Sequence, residues 1–547
     1  MATVSHNPLD PYAPRALLPA GTIEAAGFPA LGTAGRNRRL LAFSGVLLLF
    51  LAQLLRAQAD PDLWGHLTFG LTAWHDGTLA RTDPYSYTAQ GAAWTNHEWL
   101  TELSFGIAYD WAGAVGLMCL RGTLLLTTAV GVVMLLRRRN VPLPALIVMG
   151  MLAVTVIPEF YRVRPQMYTY TLMTWLLVIC TSYRPQRQWP LLFVPLMMIV
   201  WTNLHAGFVA GLGVFGLYWL EFMVGAWGTN RRVDGPCLRR WRYLLFILVA
   251  AWLATLINPY GIEYWKYVIY AVRLPRPEIT EWRPIWQQNW MIIGFYGLAM
   301  VLPTVVWLGS TRRKAWAETA VFLLVAYLAA KHGRHMPFLY LCGMLIVARR
   351  LPECLRRYDE PATVDAKRSR VLKKVAFALL VVYCFVGGAA KLYHHMSTIA
   401  QHGPLSVPTT RYPVAAVAFL NDCEISGNLD CGFSWGEYCI YKLYPRCLVY
   451  CDGRFETVYP HEISTLALAS ANDTGQFERR LRDFPTQIVL AALADPFGEY
   501  VAQQPDFELI YADDVARIFV HRDILKEREH ETEGSHRRLP SAVPFPA

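Results

Sequence analysis

The chain has 547 residues, 54 % of them apolar and 17 % charged, and its 51 Lys and Arg against 41 Asp and Glu give a net charge of +10. That composition excludes a disordered chain, and the clumping of the apolar residues argues against an ordinary soluble enzyme. A basic balance fits nucleic acid, anionic lipid or a membrane topology signal, and the placement of the charges separates these.

Residues 1–38 are mostly polar and contain Pro and Gly; they read as a cytoplasmic tail, since no small-residue cleavage site follows the first apolar run. That run, Leu40–Leu55, carries no charge. Further runs are Ala112–Leu136, Val141–Ile157, Met167–Tyr183, Trp189–Leu204, Gly207–Trp227, Tyr243–Ile257, Trp290–Trp307, Trp316–Ala330, Met336–Val347 and Val375–Ala390. A full span takes roughly 20 residues, so the shorter runs imply tilted or broken helices, and the count is about eleven. Lys and Arg clusters follow Asn37 and recur at Arg137–Arg139, Arg184 and Arg187, Arg231–Arg242, Arg312–Lys314 and Arg349–Lys374, always on one side of this map. Positive charge resists translocation, so that side is cytoplasmic and the C-terminus lies outside. A nucleic-acid surface would not alternate with apolar spans in this way. The expected architecture is an all-α polytopic membrane bundle over 39–390 with a small C-terminal extracytoplasmic α/β domain, in a bacterial inner membrane.

Two outer segments stand out. Gln58–Trp111, between the first two spans, is long, aromatic and acidic; within 58–100 it has Asp60, Asp62, Asp76, Asp83 and Glu98 but only Arg81 as a full cation. It reads as a folded piece on the membrane surface. After a linker at 391–410, residues 411–521 hold 16 acids and 8 bases. There, Val414–Leu420 and Phe477–Phe484 read as helices and Cys447–Cys451 and Gln487–Leu490 as strands. Phe507–Tyr511 and Val515–His521 form a hairpin turning at Asp513-Asp514. Residues 522–547 read as a disordered tail. Five of the eleven cysteines lie in this domain, where an oxidising compartment permits disulfides; the alternative is that they are small buried apolar groups. Cys447 and Cys451 on one strand would be roughly 13 Å apart, too far to bridge.

Polar residues at the outer ends of the spans are the candidate site. Asp60 and Asp62 flank Pro61 right after the first span; two such carboxylates can share a divalent cation (Mg or Mn) or divide base and binding roles. Asp62 could instead cap a helix starting at Leu63. His97-Glu98 could bind a sugar or orient a base, though Thr101 breaks any HExxH zinc pattern. Arg162 and Arg164, with Gln166 close by, are cations against the positive-inside bias: they grip a phosphate, or pair with acids of the first loop. Lys331, His332, Arg334 and His335 repeat the theme. Asn203-Leu204-His205-Ala206-Gly207 joins two spans in a tight outer turn that lines a cavity or simply re-enters the membrane. Arg121, inside the second span, should face the bundle and pair.

Acids after the first span, outer cations and an outer domain together resemble the GT-C (C-type) glycosyltransferase superfamily of polytopic membrane enzymes. More closely, the chain is similar to a bacterial membrane-protein group of that superfamily. The carrying stretches are Asp60-Pro61-Asp62-Leu63-Trp64-Gly65-His66-Leu67, Arg81–Tyr87, Asn96-His97-Glu98-Trp99-Leu100, Arg164-Pro165-Gln166, Asn203–Phe208, Asn258-Pro259-Tyr260-Gly261 and Glu281-Trp282. Trp435-Gly436-Glu437-Tyr438 and Asp452-Gly453-Arg454 carry it in the outer domain. The sequence departs from these relatives at Gly65, where a second Trp is frequent, and at Glu437, where Gly is usual. The resemblance implies an inverting sugar transfer from a polyprenyl-phosphate donor to an extracytoplasmic lipid, glycan or protein. Asp60 or Asp62 would be the catalytic base, Arg162, Arg164 or Arg334 the holder of the departing phosphate, and His66, His97, Glu98, Gln166, Asn203 and His205 further substrate contacts. Two alternatives are a non-catalytic envelope scaffold that binds a protein partner through 411–521, and a transporter. The latter would want inverted repeats and polar residues at the bilayer midplane.

Overall fold

The computed structural model describes residues 33–56, 59–137, 161–228, 235–274, 279–310, 316–358, 366–405, 407–468 and 474–532. The expected span Val141–Ile157 lies outside them. The helices in chain order are α1 (Thr33–Leu54), α2 (Leu63–Asp76), α3 (Trp99–Arg137), α4 (Gln166–Ser182), α5 (Phe193–Leu204), α6 (Phe208–Gly228), α7 (Gly235–Ala254), α8 (Ile262–Ala271), α9 (Trp290–Gly309), α10 (Trp316–Lys331), α11 (Met336–Tyr358) and α12 (Ala366–His402). The C-terminal domain adds α13 (Val414–Asp422), α14 (Gly436–Leu443), α15 (His461–Ala467), α16 (Thr474–Asp483), α17 (Pro496–Val501) and α18 (Arg522–Thr532).

Among the described residues, four stretches are long and apolar enough to cross a membrane: Trp99–Leu136, Phe208–Gly225, Trp290–Gly309 and Phe377–His402. Phe43–Leu54 and Trp189–Leu204 are shorter apolar helices. Large apolar side chains such as Phe43, Phe193, Phe246 and Val301 stand exposed along the bundle, as they must in a chain whose solvent is hydrocarbon. The protein is an integral membrane protein. α1 packs along α12, α2 on α3, and α9 on α11. Arg121 in α3 does pair, but with backbone: its guanidinium donates to the carbonyls of Arg56 (2.7 Å) and Leu54 (2.8 Å), capping the end of α1.

The C-terminal domain is built on a five-stranded sheet of order β2-β1-β3-β5-β4, made of β1 (Gly427–Cys431), β2 (Cys447–Val449), β3 (Ile488–Ala492), β4 (Phe507–Ala512) and β5 (Ala516–His521). β1 runs parallel to β2 and β3, and β5 antiparallel to β3 and β4. β1 has no counterpart in the sequence reading: Gly-Asn-Leu-Asp-Cys alternates, but over only five residues, three of which (Gly, Asn and Asp) are poor strand formers. All five cysteines here are thiols: Cys431, Cys439, Cys447 and Cys451 are buried and Cys423 half-buried.

Three boundaries move. α12 continues to His402, so only 403–410 is left of the expected linker. The tail expected to be disordered begins as α18, whose Ile524 is buried against the sheet, and residues beyond 532 lie outside those described. The first loop and the C-terminal domain, read separately from the sequence, form one unit. The backbone of Tyr85 and Tyr87 pairs with Val449 (3.0 and 3.2 Å), adding a short segment beside β2 at the sheet edge. One apolar core accordingly runs from Leu63, Phe105 and Trp201 through to Leu429 and Val449.

Candidate functional site

α2 starts where the chain leaves α1, and its first turn brings Asp60 and Asp62 against the segment that precedes α4. Asp60 is 1 % exposed. Its Oδ2 accepts from Arg162 Nη1 (3.1 Å), and its Oδ1 accepts from Arg164 Nε and from the Asp62 backbone N–H (3.3 Å). Asp62 Oδ2 accepts from Arg164 Nη2, while Arg164 Nη1 donates to Glu281 Oε1 at 2.8 Å. Val163, between the two arginines, is buried in the core, which leaves both cations facing the acids. Of the two readings of Arg162 and Arg164, the described structure has the pairing one. Asp62 precedes α2 but makes no side-chain cap bond, because Arg164 engages its carboxylate. Its side chain stays 41 % exposed.

A divalent cation finds a poor seat here. Both carboxylates are already neutralised by guanidinium groups, and among the described residues no three His, Cys, Asp or Glu side chains converge on a metal position. No step below is routed through one.

A second cluster surrounds Glu98. Three imidazoles face its carboxylate: His66 Nε2 at 3.7 Å, His97 Nε2 at 3.8 Å and His205 Nε2 at 3.6 Å. His66 Nδ1 is 3.0 Å from Glu102 Oε1, and Glu102 Oε2 accepts from Asn96 Nδ2 at 2.5 Å. Burial works against the His66 cation, but the Glu102 hydrogen bond and the charges of Glu98, Glu437 and Glu102 outweigh it and push its pKa up to about 10. His66 is therefore an imidazolium at neutral pH. Burial also opposes charge on Glu98, yet His97, His66, His205 and Arg334 hold its carboxyl below the ordinary value. His205 differs. The Gly207 backbone N–H, which can only donate, points at its Nδ1 (2.8 Å), so in the neutral ring the proton sits on Nε2, toward Glu98. Burial pulls its pKa down to about 4.

The remaining expected residues divide by how much of their polar capacity is used. Asn203 makes three hydrogen bonds: Oδ1 accepts from Trp99 Nε1 (2.9 Å) and Nδ2 donates to the carbonyls of Ile199 and Ile257 (both 2.8 Å). It ties the tight turn together, with both N–H donors used and one lone pair of Oδ1 left. Gln166, in the first turn of α4, keeps a buried Oε1 with no partner among the described residues. The guanidinium of Arg334 lies over the Trp282 ring, 4.6 Å from its centroid, and makes no hydrogen bond or ion pair among the described residues.

Sequence reasoning missed Glu102 and undervalued the C-terminal domain. Arg454 donates to Asp83 Oδ1 (2.6 Å) and to Asp452 (2.7 Å), and sits about 5 Å from the ring centroids of Phe69, Tyr85 and Trp94. Glu437 reaches from α14 to α2. The DGR stretch carried a signal for Arg454, whereas Glu102 lies in an apolar helix with nothing to mark it.

No protein-family model and no curated protein matches the chain. Solved structures do. The apo oligosaccharyltransferase of Archaeoglobus fulgidus superposes with a TM-score of 0.52 at 12 % identity, over 82 % of this chain and 69 % of that one. AglB from Archaeoglobus fulgidus in complex with an inhibitory peptide and a dolichol-phosphate gives 0.50 at 11 %, over the same shares. Apo ArnT from Cupriavidus metallidurans gives 0.49 at 12 %, over 89 % and 98 %. The chain shares its fold with these archaeal oligosaccharyltransferase structures.

Proposed function

We propose that the protein transfers a sugar from a polyprenyl-phosphate-linked donor to an extracytoplasmic acceptor. The observation that carries this reading is a division of labour among these charges: Asp60 is buried and locked to two arginines, Asp62 shares Arg164 but keeps 41 % of its side chain exposed, and Arg334 is unpaired among the described residues. The AglB structure with dolichol-phosphate supports a lipid-phosphate donor through the shared fold.

In this reading Asp62 takes the proton of an acceptor hydroxyl. The acceptor oxygen attacks the anomeric carbon as the carbon–oxygen bond to phosphate breaks, and the polyprenyl phosphate leaves with the bonding pair. Arg334, joined by Arg164, holds the developing phosphate charge. Asp60 fixes Arg162 and Arg164 in place. The His66–His97–Glu98–His205 cluster and the free Gln166 oxygen contact sugar hydroxyls. The wider assignment has about eleven spans, a cytoplasmic N-terminus, the bundle over 39–390, and the 411–521 domain outside a bacterial inner membrane. It follows from the Lys and Arg distribution.

The test replaces Asp62 by Asn and Arg334 by Gln in the full chain. Folded yield is compared with the amount of extracytoplasmic glycan or glycolipid formed. Both variants should fold and lose product. Well-folded variants with unchanged product would overturn the reading. A reporter fused after Ala390 tests the topology and should be active only outside.

A further inference from the structure

Beside α2, α3 and α14 lies a cavity of ≈ 370 Å³, within the size range of small-molecule sites. α2 contributes Leu63 and Trp64, α3 Leu117, the segment leaving α12 Leu405 and Val407, and α14 Tyr441. α3 breaks beside it: Ala112 and Gly113 leave helical geometry, Gly113 at φ +57° where a side chain would be strained. Around the break, Trp111 and Val115 on α3 and Tyr393 and Met396 on α12 are exposed, the apolar and aromatic girdle expected where helices leave a bilayer.

Lys442 and His402 line the cavity, no Asp or Glu does, and Lys442 has no ion pair among the described residues; its ammonium rests 4.9 Å from the Tyr441 ring. An apolar chamber at the interface with an uncompensated cation at its mouth matches an amphiphile with an anionic head. We propose that this cavity binds an anionic phospholipid, one acyl chain in the chamber and its phosphate on Lys442. The occupant would wedge between α2, α3 and α14 and so brace the C-terminal domain against the bundle. This stands on the cavity and on membrane residence, not on the transfer chemistry.

The test uses the full chain in phosphatidylcholine nanodiscs carrying a small fraction of acyl-diazirine phosphatidylglycerol or, in parallel, acyl-diazirine phosphatidylcholine. Crosslinked peptides are mapped by mass spectrometry. Peptides covering 402–414 and 436–443 should label about fivefold more with the anionic lipid, the effect of one cation at the surface. Lys442→Gln, at an exposed position, should remove that preference, and Leu117→Trp should fill the chamber and abolish the labelling. Asp62→Asn should label as the wild type does. Equal labelling by the two lipids, or labelling unchanged in Leu117→Trp, would overturn the proposal.

Discussion

The backbone N–H of Gly65 donates to Oε2 of Glu437 at 3.2 Å, across 372 residues of sequence. A Cβ on residue 65 would lie 2.5 Å from the Glu437 Cδ, so the carboxyl of α14 fills the room that a side chain on α2 would need. The two places where the sequence departs from the group it resembles are thus in contact and read as a single exchange of volume between α2 and α14. Gly65→Trp alone should prevent docking of the C-terminal domain, and Glu437→Gly should restore it. Gly65→Ala should cost about 1–3 kcal/mol by overpacking. Thermal unfolding of the single and double variants checks this through their coupling. Additive losses would mean that the two positions are independent.

Glu437 holds its proton more tightly than an ordinary carboxyl. Burial first, then the nearby Asp62, raises its carboxyl well above the ordinary value, against the opposing pull of His66. Glu437→Gln keeps an acceptor for the Gly65 N–H and the same volume, so it should cost less stability than Glu437→Ala, which removes both.

His66 sets the sign of a pH dependence. Its folded pKa, about 10, lies above the ordinary 6.5. The stability it contributes is thus complete below 6.5 and is lost as pH rises toward 10. Glu437 acts in the same direction, since its raised carboxyl binds a proton that the unfolded chain releases earlier. Unfolding followed between pH 6.5 and 10 should show falling stability in the wild type and a flatter profile in His66→Gln. An equal slope in both would remove His66 as the cause.

Arg454 locks the C-terminal domain to the first loop. Removing one member of a buried ion pair typically costs about 3–5 kcal/mol, because the other charge is left uncompensated. Arg454→Met leaves Asp83 and Asp452 in that condition, both fully buried. Limited proteolysis at 403–410 should accelerate in this variant and slow again when Asp83→Asn and Asp452→Asn are added.

What the sequence made legible was local. Apolar runs located most of the helices, and charge placement singled out the outer ends where Asp60, Glu98, Arg164, His205 and Arg334 do gather. What it hid was set by distance along the chain. Nothing near Tyr85 shows that it pairs with Val449, and nothing near Gly65 announces Glu437. The alternation of β1 is short and built on poor strand formers, and α12 runs past Ala390 because its last turns are polar but still helical. Asn203 reads as a ligand group, but its three hydrogen bonds tie it into the turn. Arg162 and Arg164 could equally grip a phosphate or an acid, and only the fold brings Asp60 within reach.

That last point separates two arginines that the sequence treats alike. Arg164 holds Asp60, Asp62 and Glu281 at once, and Asp60 is buried, so Arg164→Gln strands a carboxylate and should destabilise the chain as well as impair transfer. Arg334 rests on Trp282 without an acid partner among the described residues, so Arg334→Gln should leave the unfolding temperature nearly unchanged. Its loss should appear in the donor instead. A charge-assisted bond to phosphate is worth about 1.5–3 kcal/mol, so the donor KM should rise about 10- to 100-fold if that bond is present in the ground state. If it forms only as the phosphate departs, kcat should fall by the same factor. Lys at 334 should rescue part of the loss, because it keeps the charge but not the planar fork. A destabilised Arg334→Gln variant with unaltered donor kinetics would assign this arginine to the scaffold and leave the departing phosphate without a holder.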